Sequence, residues 1–144
     1  MKKIMVFLML LITLTLQAAT YEKVMQKDKF GEEDGTFIMM MSDVEYSSIL
    51  AIAKSGSLAL INGGYYSTGT TMDMSIKIDG TIYEEKVMAI SSKILMIVPS
   101  EELLKAMFKG NSIKFSIRKS NGTSQLSKFD LIGFKDAYEK TVKQ

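Results

Sequence analysis

The stretch Met72-Asp73-Met74-Ser75-Ile76-Lys77-Ile78-Asp79 constrains the fold more than any other part of the chain. In an extended backbone Met72, Met74, Ile76 and Ile78 fall on one side, and Asp73, Ser75, Lys77 and Asp79 on the other. Strict period-two alternation marks a strand with one buried and one wet face, as antiparallel sheets have. Asp79-Gly80 follows, a dipeptide that favours a two-residue hairpin turn, and residues 81–88 return along the first strand. A second hairpin repeats the pattern. Residues 112–119 alternate and bury Ile113, Phe115 and Ile117; Asn121-Gly122 favours a type I′ turn; residues 123–131 return. Leu126 has the opposite parity to Phe129 and Leu131, which predicts a bulge or register change in the returning strand.

The remaining strands are shorter. Residues 21–25 read as a first strand, and Phe30-Gly31-Glu32-Glu33-Asp34-Gly35 as a loop closed by an Asp-Gly turn. The apolar run Thr36 to Met41 is short enough for a buried strand. Residues 48–61 form a hairpin around Gly56, and Asn62-Gly63-Gly64 breaks it. Residues 93–98 are a further strand, ended by Pro99. Ser100 then caps a helix over about 100–109: Glu101 and Glu102 sit at its positive end, Leu103, Leu104, Met107 and Phe108 recur at helical spacing, and Gly110 suits a left-handed C-terminal cap. A short C-terminal helix at about 134–142 turns Phe134, Ala137, Tyr138 and Val142 inward. The fold class expected is mainly β: an antiparallel β-sandwich with these two short helices.

The N-terminus carries a different message. Lys2-Lys3 is a positive region, residues 4–16 are almost wholly apolar, and Gln17-Ala18-Ala19 supplies small residues. That is the layout of an export signal cut near Ala19, with an apolar stretch shorter than the ~20 residues a spanning helix needs. No Cys at the cut site points to a lipoprotein. Removing 19 of 144 residues leaves 125, one domain at 20–144. Two of the 18 basic residues go with the signal, leaving 16 against 16 acidic ones, so the exported chain is formally neutral. A neutral chain without a Lys/Arg cluster argues against nucleic acid and anionic membranes as partners.

Cys and His are both absent. Without them there is no disulfide, no Ser-His-Asp or Cys-His catalysis, and no ordinary zinc or copper site. The expectation is therefore no cofactor, no metal and no enzyme. The alternative is a hydrolase or lyase working through carboxylates, Lys or Tyr. Glu32-Glu33-Asp34-Gly35 offers hard oxygen ligands but not the spacing of a calcium loop, and reads as a solvated turn. Glu84 and Glu85 are adjacent in a strand, so they face opposite sides and cannot flank one bond. Asn62-Gly63-Gly64-Tyr65-Tyr66 is the most suggestive patch. Tyr65 and Tyr66 beside glycines have the character of a recognition loop, set against a plain strand end with one Tyr packed inward. Arg118, the single Arg, can bridge carboxylates where Lys cannot; its ordinary role is a cross-strand ion pair. Asn121-Gly122-Thr123 matches a glycosylation acceptor, and the turn explains it better. The nine methionines that follow the signal read as core filling, or as an adaptable binding surface.

The strand ending in Asp79-Gly80, the strand at Ile94 to Val98, the helix at Leu103 to Gly110, and residues 113–119 with Arg118 lead to a C-terminal Phe129-Asp130-Leu131-Ile132-Gly133-Phe134-Lys135-Asp136-Ala137. This order resembles the C-terminal pattern of exported bacterial proteins of the invasion-associated locus B type. It is also similar to small exported proteins associated with type VI secretion loci. Phe129, Leu131, Gly133, Phe134 and Ala137 keep the shared ending, and the chain departs from the first group in having no Cys. The resemblance covers roughly residues 72–138. It implies a β-sandwich in the envelope of a Gram-negative bacterium with a binding or accessory role, an envelope or host protein being the partner.

Overall fold

The computed structural model describes residues 21–119 and 122–144. The expected export signal and its expected cleavage near Ala19 lie outside the described residues, as does Asn121 of the second hairpin turn. The strands are β1 (Tyr21–Lys27), β2 (Glu33–Ser42), β3 (Ile49–Ile52), β4 (Leu58–Ile61), β5 (Thr71–Ile78), β6 (Thr81–Ala89), β7 (Leu95–Ile97), β8 (Ser112–Arg118) and β9 (Ser124–Asp130). The helices are α1 (Glu101–Lys109), between β7 and β8, and α2 (Phe134–Val142), after β9. The protein is mainly β, as its alternation requires. All nine strands belong to one antiparallel sheet, in the order β1-β2-β3-β4-β7-β6-β5-β8-β9.

The alternating hairpin forms as its residues dictate. Ile78 faces Thr81, which leaves Asp79 and Gly80 as the two turn residues. Both have positive φ (46° and 93°), the type I′ geometry. The Asp79 carboxylate then accepts from the backbone N–H of Asn111 (2.9 Å) and Ser112 (3.1 Å), fixing the entry to β8. Met74, Ile76 and Ile78 are buried while Asp73 and Lys77 are exposed.

One apolar core serves the whole sheet. Met41, Leu50, Ile52, Leu58 and Leu60 from one end pack in the same cluster as Ile113, Phe115, Ile117 and Phe129 from the other. The sheet therefore curls, an arrangement compatible with a two-layer packing. Its ends meet where the chain leaves β2. Val44 N–H donates to the Lys128 carbonyl (2.9 Å), and Lys128 N–H donates to the Asp43 carboxylate (2.8 Å). Behind them the buried hydroxyls of Ser48 and Ser127 lie 2.8 Å apart. Such bonds satisfy part of the outer edge of β9, which would otherwise invite another strand.

The helices close the open mouth of this core. Ser100 Oγ accepts from Leu103 N–H (3.2 Å) and donates to Glu85 (2.8 Å), so the cap also ties α1 to β6. Phe108 of α1 meets Phe134 and Tyr138 of α2 at centroid distances of 6.0 and 5.4 Å. Past α2 the Gln144 amide accepts from Phe37 N–H and donates to Phe37 C=O, both at 2.7 Å. It thus pairs with β2 beyond the reach of β3.

Four local expectations are corrected. Asp34-Gly35 is not the first turn: the turn is at residues 28–32, where Asp28 Oδ1 accepts from the N–H of Phe30 and Glu32, and Gly35 (φ 85°) serves a bulge inside β2. β9 has no bulge. It pairs with β8 without interruption from Asp130 to Ser124, and Ser127 takes the inward position because Ser48 satisfies its hydroxyl. Gly110 is extended (φ −78°), not left-handed. A Cβ there would sit 2.6 Å from Ile78 and 3.1 Å from Leu131, so close packing is what requires glycine. In α2 it is Thr141 that turns inward, its hydroxyl donating to the Ala137 carbonyl, while Val142 is partly exposed.

Candidate functional site

Residues 62–66 follow β4 directly, and the structure explains how they are held. Asn62 is buried, and its Oδ1 accepts from Tyr66 OH (2.7 Å) and from Gly64 N–H (3.1 Å). Its backbone carbonyl accepts from the Gln125 side chain of β9 (2.6 Å). Tyr66 N–H donates to the Ser92 carbonyl (2.8 Å). Gly64 is required because a Cβ would fall 2.3 Å from the Tyr66 hydroxyl. Burial pushes the Tyr66 phenol up.

Each reading of the tyrosine pair thus applies to one member. Tyr66 packs inward as part of the scaffold. Tyr65 points out and is 84 % exposed, the most exposed large apolar side chain among the described residues. A ring held in water on a loop anchored by four hydrogen bonds is a presented group, not a loose one.

The sheet then brings Arg118 to the same place. A cleft of about 450 Å³ is lined by Gly63, Gly64, Tyr65, Tyr66, Met72, Ile117, Arg118 and Lys119. That volume lies in the range of small-ligand sites. β5 and β8 are neighbours, which sets Met72 near the end of β8. Curling of the sheet carries the end of β4 across to them. The three candidates Tyr65, Tyr66 and Arg118 therefore share one wall-to-wall site. Arg118 makes no ion pair among the described residues, and its cross-strand partner is Ser124, so the ordinary role expected of it is not the one it plays. Among the described residues no carboxylate lines the cleft. Lys119, Met72 and Ile117 were not legible as site residues, because their proximity to Tyr65 depends on strand order. Gln125 was not legible for the same reason; Asn62 stood within the patch, but its role as the pin of Tyr66 did not show in the sequence.

The other candidates lie elsewhere. Asp34 accepts from both the N–H (2.8 Å) and the hydroxyl (2.7 Å) of Thr36, and these bonds hold its carboxyl below the usual range. Among the described residues no cluster of three or more acidic side chains is placed to hold a metal ion. Glu84 accepts from Ser75 Oγ, and Glu85 from Ser100 Oγ, on opposite faces of β6. Among the described residues no helix is long and apolar enough to cross a membrane. No protein-family model, curated protein or solved structure matches the chain.

Proposed function

We propose that this is an exported, periplasmic, non-enzymatic binding or accessory protein whose partner is an envelope or host protein. The cleft between the Tyr65 loop and the end of β8 is its recognition site. One observation carries the reading: Tyr65, Tyr66 and Arg118, up to 53 positions apart in sequence, line a single cleft with an exposed ring on a pinned loop. Tyr offers large amphipathic area with two side-chain torsions to immobilise, and Arg adds directional charge. The export address rests on the N-terminal pattern, and the accessory role on the resemblance to invasion-associated locus B and type VI secretion-associated proteins.

Two measurements test it. Intact mass of the protein recovered from cells decides the address: the expected mass begins at Thr20, and retention of residues 1–19 contradicts cleavage. Affinity capture from periplasmic extract decides the site. Tyr65→Ala, which leaves the Asn62–Tyr66 pin in place, is expected to lose co-purifying partners. An unchanged partner profile removes the cleft from the account.

A further inference from the structure

We infer that the cleft binds a carboxylate carried on an apolar, preferably aromatic, group, with Arg118 reading the anion and Tyr65 the apolar part. The inference deepens the recognition reading above and rests on it. Arg118 and Lys119 are the charged residues lining the cleft, and both are positive. The ion pairs among the described residues engage Lys86, Lys105, Lys128 and Lys143, and leave these two out. Arg118 is exposed at the last position of β8, which pairs with β9 along its whole length, so its root is fixed while its side chain is open to solvent. A guanidinium in that state matches a carboxylate with two parallel hydrogen bonds, which an ammonium cannot do.

The opposite wall selects the rest of the ligand. Tyr65 presents its ring on the anchored loop, and Met72, partly buried, contributes apolar surface between the walls, where Ile117 is only 3 % exposed. A bare inorganic anion would leave that surface unused, and a neutral aromatic would leave Arg118 unmatched. The shared chemistry, an apolar group ending in a carboxylate, has two sources: a small organic acid, or a peptide that presents an acidic or C-terminal residue.

Titration of the 15N-labelled protein with 3-phenylpropionate tests this. The expected result is saturable shifts of the amides of residues 63–66 and 117–119, in the millimolar range that suits so small a ligand. The neutral 3-phenylpropionamide, and the acid added to Arg118→Gln, should each bind about tenfold more weakly or worse, the loss of one charge-assisted bond pair. Arg118→Lys should fall between, because it keeps the charge and loses the fork. Inorganic phosphate should bind more weakly than the acid. N-acetyl-Gly-Gly-Phe with a free carboxylate separates the sources: tighter binding than 3-phenylpropionate identifies a peptide ligand, and equal or weaker binding a small acid. Equal binding of acid and amide, equal binding of phosphate, or no shifts from any probe overturns the inference. If those failures coincide with loss of partners from Tyr65→Ala, the recognition site stands and only its chemistry was misassigned.

Discussion

Ser48 and Ser127 test how the two ends of the sheet are joined. Ser48 is 5 % and Ser127 0 % exposed, and their hydroxyls are 2.8 Å apart. Replacing one with Ala removes little volume but strands the other hydroxyl without its partner. A buried donor left unpaired costs about 1–3 kcal/mol, whereas removing both partners is close to neutral. Ser48→Ala and Ser127→Ala should therefore each destabilise by about 2 kcal/mol, and the double variant by under about 1 kcal/mol. The implied coupling, about 3 kcal/mol, is at the upper end for residues in direct contact. Equilibrium urea unfolding reads it, since a denaturant slope of about 2 kcal/mol per molar makes each single substitution a midpoint drop of about 1 M. Strictly additive losses in the double variant would refute the pairing, as would single variants indistinguishable from the parent.

Three further substitutions or conditions follow the same logic. Tyr21→Phe should raise stability by about 1 kcal/mol, because the Tyr21 hydroxyl is buried without a hydrogen-bond partner; a loss in thermal unfolding would show that it has one. Gly110→Ala should cost about 1–3 kcal/mol through the clash with the Ile78 Cγ2 methyl, the Ala106 carbonyl and Leu131, and combined with Ile78→Ala, which removes that methyl, the loss should be smaller than the sum of the two single losses; strictly additive losses point to the Ala106 backbone contact as the cause. Burial raises the phenols of Tyr21, Tyr66 and Tyr138 above their unfolded values. Their neutral forms thus contribute stability in full below about pH 10, and that contribution falls as pH rises through the higher folded-state values. A urea midpoint that does not decline in that range contradicts the burial.

What was legible in the sequence was what a period of two or 3.6 can encode. Met72 to Ile78 and Ile113 to Ile117 gave their faces away because each inward residue is apolar. Leu126 misled for the converse reason: the inward residue beside it is Ser127, and a buried serine is recognisable only once Ser48 is placed next to it. Gly110 was located but misread, since a local rule asks about φ and the answer lies in Ile78 and Leu131. The cleft was half visible. Tyr65, Tyr66 and Arg118 stood out by type, while their convergence depends on β8 pairing with β5 after α1, and on the curl that carries β4 toward β9.

The contacts that close the sheet also set when it can form. Asp43 meets Lys128 across 85 positions, Ser48 meets Ser127 across 79, and Phe37 meets Gln144 across 107. Pairings of that span need long loops to close before any reward arrives, so they form late and slowly. A chain that ends before β9 can make neither the β9 edge bonds nor the Gln144 clasp on β2, and one that ends before the last helix still lacks the clasp. It remains an open, unfinished sheet until almost every residue is present. Under the export proposed above, in which the chain is threaded through a membrane before it folds, delayed closure would be an advantage: the same bonds that lock the finished domain are those that a partly delivered chain cannot yet make.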